Sequence, residues 1–320
     1  MQIYVSGSLA YDRIMTFGGR FADHILPDKI HMLNVCFNVD GLQEWLGGTA
    51  GNIAYGLSQL GETPVVLGCL GRDGDRYLDW LRSNGIETGR VRVVPEQYTA
   101  GAFITTDQSR NQITGFNPGA MLCSCQFDCA GLDPADSLVI ISPGNFEDMT
   151  ELPRALRQRR TPFIFDPGQS LNILDGPVLD QAIQGAMALI SNDYELEVIS
   201  RKTGRDLAGL LEVVGAVITT QGEQGSVVVE RGGRRAEIPA TPPSQVLDPT
   251  GAGDAYRGGL LKGLALGLDL PRACVWGAAL ASYAVACHGT QEYSLDLAEF
   301  QARLDATMAE FDKRNPGLAA

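Results

Sequence analysis

The 320-residue chain is short of positive charge and of long hydrophobic runs. Its 25 Lys and Arg residues face 38 Asp and Glu residues, so the formal net charge is −13 at pH 7. Nucleic-acid and anionic-membrane surfaces recruit basic residues, and this balance argues against both as partners. No uninterrupted apolar run reaches the roughly 18 residues that a membrane-spanning helix needs. The segment MQIYVSGSLAYDRI lacks the basic and apolar regions of a signal peptide, so we expect a cytoplasmic protein.

Residues that commonly build metal centres are also sparse. The three His residues have no triad-like or metal-like spacing. Seven cysteines are an odd number in a long chain, which is more typical of a reducing compartment than of a disulfide framework. The cluster CSCQFDC has no nearby His or second Cys pair. We therefore interpret Cys123, Cys125 and Cys129 as loop thiols rather than as zinc or iron–sulfur ligands.

Two common nucleotide-binding motifs are missing as well. No G-x-x-x-x-G-K-[ST] loop occurs, and no G-x-G-x-x-G joins the first strand to its helix. What the chain does contain is a regular alternation of short apolar runs (QIYVSG, PVVLGCLG, SLVIIS, PFIFD, ALISN and AVITTQG) with helical patterns such as Ile53, Leu57 and Leu60. This alternation predicts βαβ units in an α/β fold, with a doubly wound, mostly parallel sheet flanked by helices.

Two segments interrupt the alternation. Residues 13–45 are long, contain aromatic residues and are typical of irregular or extended structure. Residues 97–116 have a strand–turn–strand pattern, with Asp107 to Asn111 as the turn. Because no repeat or charged linker divides the chain, we expect one domain over residues 1–320, with these two segments forming a small β-sheet lid.

The stretch VLDPTGAGDAYRGG places Asp254 after a run of small residues and before a helical pattern. Small residues at a helix start leave N–H groups that attract an anion, and a carboxylate would repel that anion. This conflict is resolved if Asp254 is a general base that takes a proton from an attacking hydroxyl while the N–H groups hold phosphoryl charge. The alternative is an Asp that merely caps the helix, and this stretch alone does not decide between them.

Three motifs carry a resemblance to a known family. DPTGAGDAYRGG resembles the C-terminal signature of the ribokinase-like (PfkB) carbohydrate and nucleoside kinases, and GGTAGNIA resembles the N-terminal signature of that family. SNDYE, between them, is similar to its N-x-x-E motif. Together with SGSLAYDRIMTF, GRFADHILPDKIHMLNVCF, FDPGQSL and GTQEY, the motifs are most similar to the bacterial adenosine kinases of this type.

The resemblance implies ATP-dependent phosphorylation of the 5′-hydroxyl of adenosine, with Mg²⁺ and also K⁺ near Asp248 and the loop HGTQ. Its catalytic residues would be the base Asp254 and the anion-hole residues Gly251, Ala252 and Gly253. Nucleotide would contact Asn192, Thr220, Gly222 and Gly225, while Glu195 would organise Mg²⁺ and its waters. The acceptor would contact Ser8, Asp12, Gly48, Asn52 and Gln169, and Phe37, Phe103 and Phe116 are candidates to stack a purine or to form lid core.

Alternative functions remain open at the level of sequence. Another nucleoside or a small sugar such as ribose or fructose phosphate would use the same base. A sugar phosphate requires extra basic residues in the lid, which contains Arg13, Arg20, Lys29 and Arg110. A nucleotide-binding regulator without turnover is a further alternative, although Asp254, Asn192 and Glu195 argue against it. Exposed strand edges in the lid also predict a homodimer formed through the lid.

Overall fold

The computed structural model describes residues 1–25, 31–32 and 34–318. The strands in chain order are β1 (Gln2–Ser6), β2 (Ala10–Thr16), β3 (Asp40–Gly47), β4 (Val65–Leu67), β5 (Cys69–Gly71), β6 (Arg92–Val94), β7 (Ala100–Thr106), β8 (Gln112–Asn117), β9 (Ser137–Ile141), β10 (Phe163–Phe165), β11 (Ala188–Asn192), β12 (Ala216–Thr220), β13 (Ser226–Glu230) and β14 (Arg235–Ile238). The α-helices are α1 (Thr49–Gln59), α2 (Asp75–Ser83), α3 (Phe146–Arg159), α4 (Gly176–Ile183), α5 (Asp193–Thr203), α6 (Leu207–Val213), α7 (Ala252–Ala265), α8 (Leu270–Ala284) and α9 (Leu297–Arg314).

An eight-stranded sheet in the order β14-β13-β12-β11-β10-β9-β1-β4 forms the centre of the fold. Strands β4, β1, β9, β10, β11 and β12 are parallel, and β13 and β14 complete one edge in antiparallel pairing. The apolar runs of the sequence are continuous because both faces of this sheet are covered. Along β9, for example, Ile140 belongs to one hydrophobic cluster, whereas Val139 and Ile141 belong to the cluster on the opposite face. The predicted doubly wound, mostly parallel sheet is confirmed.

A separate four-stranded sheet in the order β3-β2-β7-β8 lies in the two segments assigned to the lid. Strands β7 and β8 form an antiparallel hairpin around Asp107, whose side chain accepts hydrogen bonds from the N–H groups of Ser109 and Asn111, both at 2.8 Å. The small sheet predicted from the sequence is therefore present, and its strands extend somewhat beyond the predicted segments.

One apolar run behaves differently from the prediction of a single strand. PVVLGCLG divides into β4, at the edge of the central sheet, and β5, which pairs with β6 in a two-stranded sheet. The division falls at Gly68, where a Cβ would lie 2.9 Å from the carbonyl oxygen of Gly7. The close approach of these two backbones turns the chain out of the sheet.

Eight of the nine helices named above have starts of two kinds; α2 has neither, because it begins at Gly74 with a negative φ and no side-chain cap. Six helices begin at an Asn or Asp whose side chain accepts an N–H of the first turn: Asn145, Asp175, Asn192, Asp206, Asp269 and Asp296. Helices α1 and α7 instead begin at glycines with positive φ, Gly48 (φ 88°) and Gly251 (φ 79°), and neither glycine provides a side-chain cap. Across the described residues, the helices are too short or too polar to cross a bilayer.

Candidate active site

A cavity of about 590 Å³ lies at the carboxyl ends of the parallel strands, beneath the lid sheet. Ligands of open α/β sheets bind at this edge because the loops after successive strands converge there. Twelve of the residues singled out from the sequence line the cavity: Ser8, Asp12, Gly48, Asn52, Phe116, Gln169, Asn192, Glu195, Thr220, Gly251, Gly253 and Asp254. Ala252 lies between Gly251 and Gly253 as the first residue of α7.

The start of α7 forms part of the cavity floor. Gly251 adopts the left-handed conformation, and a Cβ at this position would lie 2.7 Å from Cγ2 of Thr290. The first N–H groups of an α-helix have no partner within the helix, and here no side chain of the N-cap residue provides one. The aligned peptide dipoles add positive potential at this point. The N–H of Ala252 donates to the carbonyl of Pro249 at 3.2 Å, so the start of α7 offers the N–H groups of Gly253 and Asp254 to an anion.

Asp254 lies in the first turn of α7 and is only partly accessible from the cavity. Its Oδ2 accepts a hydrogen bond of 2.8 Å from Nδ2 of Asn52. Desolvation raises the pKa of Asp254 to about 6, an effect that the charge of Arg257 and the Asn52 hydrogen bond oppose. A carboxylate with this pKa is ionised at pH 7 and still a stronger base than an ordinary aspartate.

A buried ion pair supports this floor, and sequence reasoning missed it. Arg257, one turn after Asp254, donates from Nε and Nη2 to the carboxylate of Asp166, the latter at 2.9 Å, and from Nη1 to the carbonyl of Gly253 at 2.9 Å. Burial disfavours its charge, but the paired carboxylate raises the pKa of Arg257 above its usual value. Arg257 is therefore a fixed positive charge beside Asp254. Asp166 directly follows the buried strand β10. A carboxylate at the end of a buried strand was the one feature of the sequence that could have indicated a role for Asp166 at this site.

The start of α1 forms the next wall of the cavity. The hydroxyl of Ser8 accepts the N–H of Thr49 at 3.0 Å, and the side chain of Thr49 donates to the carbonyl of Pro143 at 2.7 Å. A Cβ on Gly48 would lie 2.6 Å from the carbonyl oxygen of Ser8. Gly48 is thus required by the close packing of its own backbone against Ser8, a reason that the sequence did not reveal.

Helix α5 brings Asn192 and Glu195 to the opposite side of the cavity. The Asn192 side chain accepts the N–H of Glu195 at 2.7 Å, and the Glu195 carboxylate accepts the N–H of Asn192 at 2.8 Å. Desolvation raises the pKa of Glu195, the hydrogen bond from Asn192 opposes this, and the nearby charge of Asp166 adds to it. A divalent cation in the cavity would relieve this unfavourable charge, so Glu195 fits a Mg²⁺ site that keeps part of its water shell.

The lid contributes Asp12, Ala102 and Phe116. Ala102 pairs with both Asp12 and Phe116 across neighbouring strands, so the three side chains share the face that points into the cavity. Desolvation raises the pKa of Asp12. Phe103, next to Ala102, points to the other face, where the guanidinium of Arg13 lies 5.1 Å from its ring centre.

Two of the three candidate stacking rings therefore do not line the cavity. Phe103 is on the wrong face of its strand because successive side chains alternate. Phe37 packs against Phe17 and Phe21, with ring centres 4.6 and 5.4 Å apart, and belongs to an aromatic cluster in the lid. The interpretation as lid core suits Phe37, whereas Phe103 is 41% exposed on the other face of the sheet.

Two of the predicted nucleotide-binding glycines do not line the cavity. Gly222 and Gly225 lie in the turn that follows Thr220, outside the cavity lining. The lid Arg13 forms an ion pair with Glu44 at 2.8 Å, and Lys29 lies outside the described residues.

The cysteine cluster lies away from the cavity. Cys125 and Cys129 are buried in two different hydrophobic clusters, and desolvation raises the pKa of both thiols. In the described ranges, His, Cys, Asp and Glu side chains form no group of three or more with metal-binding geometry.

Comparisons with known proteins show the family and the fold of this chain. The family model of the pfkB family carbohydrate kinases matches residues 12–297. This chain belongs to that family. It is 31% identical over 283 residues to a nucleoside kinase of Methanocaldococcus jannaschii, covering 88% of this chain and 92% of that protein. Membership confirms the resemblance seen in the three motifs and makes the chain an ATP-dependent phosphotransferase.

Solved structures of family members are similar over nearly the whole chain. The ligand-free nucleoside kinase of Burkholderia thailandensis is 42% identical, with a TM-score of 0.85 over 94% of this chain and 99% of that chain. The same protein in complex with inosine is 40% identical, with a TM-score of 0.82 over 96% of this chain and 98% of that chain. These similarities confirm the ribokinase-like fold, with its large sheet and separate small sheet.

Proposed function

We propose that this enzyme transfers the γ-phosphoryl group of ATP to the 5′-hydroxyl of a ribonucleoside, with adenosine as the acceptor. The observation that carries the proposal is the position of Asp254. It is a carboxylate with a pKa of about 6 at the uncapped start of a helix, and it faces a cavity that continues to Asp12 and Phe116 of the lid.

The chemistry follows from the hydrogen bonds of Asp254. Because Oδ2 accepts from Asn52, Oδ1 is the oxygen that takes the proton of the acceptor hydroxyl. The hydroxyl oxygen then forms a bond to the γ-phosphorus, while the bond from that phosphorus to the β,γ-bridging oxygen breaks and ADP leaves with the electron pair. The N–H groups at the start of α7 stabilise the charge of the transferring group. Mg²⁺ near Glu195, when bound, neutralises charge on the phosphates.

The lid side of the cavity supports a nucleoside rather than a free sugar. Asp12 presents a carboxylate that can accept both hydrogens of a ribose diol. Phe116 presents an exposed ring on the same face, and stacking on an aromatic ring is worth about 1–3 kcal/mol per base. The Burkholderia thailandensis relative binds inosine, also a purine nucleoside. A pairing of Arg13 with Glu44 leaves that arginine neutralised, which argues against a sugar phosphate.

The test is ATP-dependent ADP release with Mg²⁺, with and without K⁺, across adenosine, inosine, guanosine, cytidine, ribose and fructose 6-phosphate. Adenosine should give the highest kcat/KM. A higher kcat/KM with inosine than with adenosine would retain nucleoside phosphorylation as the function and would replace adenine with hypoxanthine as the preferred nucleobase. Turnover with sugars alone would contradict the nucleoside proposal. Absence of turnover with every acceptor, alongside tight ATP binding, would favour a nucleotide-binding regulator.

A matched pair of lid variants tests the base-binding face. Phe116→Ala should raise KM for adenosine about tenfold or more, because a lost stacking contact costs roughly 1–3 kcal/mol. Phe103→Ala removes a ring of similar exposure from the opposite face of the same sheet and should leave KM close to the wild-type value. Equal effects of the two substitutions would contradict the assignment of Phe116 to the acceptor site.

We also propose that two copies associate through their lid sheets. Strand β8 is exposed along its whole length and pairs only with β7 in the described sheet. An unpaired strand edge is a template for pairing with another chain. Light scattering at micromolar concentration should give the mass of a dimer, and a monomeric mass would refute this proposal.

A further inference from the structure

Behind Asn52, on the side away from the cavity, lies a chain of hydrogen bonds that the proposed mechanism does not use; it is buried around Gln291 and half-buried at Trp80. Gln291, which is 1% exposed, lies at its centre. Its Nε2 donates to Oδ1 of Asn52 at 3.0 Å and to the hydroxyl of Tyr77 at 2.8 Å. Its Oε1 accepts from Nε1 of Trp80 at 3.0 Å. The chain thus runs from Trp80 of α2 to Asn52 of α1.

The direction of these hydrogen bonds is fixed by Trp80. An indole N–H can only donate, so the oxygen of the Gln291 amide must face it. Tyr77 donates its single hydroxyl hydrogen to the carbonyl of Gly47 at 2.7 Å, so toward Gln291 it can only accept. Both partners therefore select the same orientation of the Gln291 amide. Its second N–H is left pointing at Asn52.

The orientation of Asn52 follows in turn. Its Oδ1 accepts from Gln291, and it also lies 2.8 Å from the hydroxyl of Thr290, whose single hydrogen can go either to Asn52 or to the carbonyl of Leu46 at 3.1 Å. The Nδ2 group consequently faces Asp254 and donates to its carboxylate at 2.8 Å. A flipped amide would direct its N–H groups against the N–H of Gln291 and its oxygen against the carboxylate of Asp254. Such a flip would leave buried polar groups unpaired, which is costly.

We propose that Gln291 and Trp80 are positioning residues that hold the Asn52 amide with its N–H group toward Asp254. The inference rests on the proposed function, in which Asp254 is the base. Neither residue lines the active-site cavity, so both act through Asn52.

The effect on Asp254 is electrostatic as well as geometric. A hydrogen bond donated to a carboxylate favours its charged form. Other titratable groups surround Asp254: Arg257 on its own helix and Asp166 after β10 act on its pKa, and the charge of Asp254 in turn raises the pKa of Tyr77 on α2 and of Tyr293 in the loop that carries Gln291. Neither Gln291 nor Trp80 hydrogen-bonds to Arg257 or Asp166, whereas Gln291 also donates to Tyr77. Trp80→Phe leaves the Tyr77 hydrogen bond in place, so a shift that both variants share reports on the Asn52 amide.

The experiment measures kcat/KM against pH for Gln291→Met, which keeps the side-chain length and removes both hydrogen-bonding groups. We expect the acid limb to move upward by about one pH unit, because the carboxylate loses a well-oriented donor. Relative to the wild type at the same pH, kcat/KM of the variant should be about tenfold lower near pH 5.5 and nearly equal above pH 8. Trp80→Phe keeps the ring that stacks on Tyr55 and should give a smaller shift in the same direction.

The double variant and a control make the result specific. Because both residues act through one amide, Trp80→Phe combined with Gln291→Met should shift the limb no further than Gln291→Met alone. Trp276→Phe, at a ring that packs on Phe300 in α9, should leave the limb unmoved. An acid limb that stays at the wild-type pH in both Gln291→Met and Trp80→Phe would overturn the proposal, even if the melting temperature falls.

A second measurement separates this inference from the proposed function. The carboxyl carbon of Asp254, assigned by its loss in Asp254→Asn, can be titrated by NMR without any acceptor. Its midpoint should rise in Gln291→Met and in Trp80→Phe. If no nucleoside is turned over and the midpoint still rises, the proposed function fails and the positioning role stands. An unchanged midpoint overturns the positioning role whatever the enzyme phosphorylates.

Discussion

Helices α5 and α7 both begin at the cavity, and their first turns are built in opposite ways. Asn192 and Glu195 satisfy the first turn of α5 with each other's backbone N–H groups. The first turn of α7 begins at Gly251, has no side-chain cap, and carries Asp254 turned toward Asn52. A capped start is stable and closed to an incoming anion, whereas an uncapped start is less stable and open. The difference supports the proposal that α7 is the anion-binding helix.

The largest expected effect comes from removing the carboxylate of α7. Asp254→Asn keeps the side-chain shape and should lower kcat by on the order of 10²–10⁴, because proton transfer to a positioned base is lost. The affinity for ATP, measured by calorimetry, should stay close to the wild-type value. A variant that keeps most of its kcat would exclude Asp254 as the base; a capping role is already excluded, because α7 has no side-chain cap.

The next largest effect is expected from Gly251→Ala at the open start of α7, with Gly204→Ala at the end of α5 as the matched control. Gly251 and Gly204 have similar positive φ values, 79° and 70°. Alanine in this conformation costs roughly 1–2 kcal/mol, so both Gly→Ala variants should lose stability. Only Gly251→Ala should also lose kcat, by on the order of 10- to 100-fold, since its Cβ would meet Thr290 and displace the N–H donors.

In the Gly204→Ala control, a Cβ meets no atom within 4 Å. Steady-state kinetics and thermal unfolding of the pair are therefore sufficient for the comparison. A kcat loss of equal size in both variants would show that the strain, and not the anion site, limits turnover.

The pH dependence should follow Asp254. Its raised pKa of about 6 means that the base becomes protonated as the pH falls through this value. We therefore expect kcat/KM to decrease below about pH 6, by about tenfold for each further pH unit. A profile that stays flat to pH 5 would exclude Asp254 as the titrating base.

The smallest effects are opposite shifts in melting temperature at the two helix starts. Asn192→Ala should lower the melting temperature by about 2 °C at pH 7, because a lost cap costs roughly 1 kcal/mol. Asp254→Asn should raise it. Burial makes the protonated form of Asp254 more stable in the folded protein than the charged form. The stability that the protonated form contributes is therefore lost as the pH rises through about 6. The gain should therefore be larger at pH 7 than at pH 5, and shifts of the same sign would contradict the comparison.

Local patterns in the sequence predicted the sheet, the lid hairpin and the start of α7, because each depends on neighbouring residues. The ion pair between Arg257 and Asp166 joins residues 91 positions apart, and no local pattern reports such a contact. The same is true of Gln291 and Trp80, which meet only after α2 and the loop before α9 have packed against α1.

The lid rings show where more could have been predicted. A hairpin turn at Asp107 to Asn111 sets the register of β7 and β8, and that register pairs Phe116 with Ala102. Side chains alternate along a strand, so Phe103 must point away from Phe116. Counting outward from the turn would have separated the two rings. Phe37, in contrast, lies in an irregular segment with no period to count.

Two of the three tryptophans lie where their intrinsic fluorescence can report on the lid and on the hydrogen bonds behind Asp254. Trp45 lies on β3 opposite Asp12, and its ring would lie 3.0 Å from a Cβ on Gly289, so it contacts both the lid and the loop before Gln291. Trp80 donates into the network behind Asp254. Trp276 packs on Phe300 and serves as an internal reference. Ligand-induced changes in lid and network can thus be followed by intrinsic fluorescence in single-tryptophan variants, with no attached label.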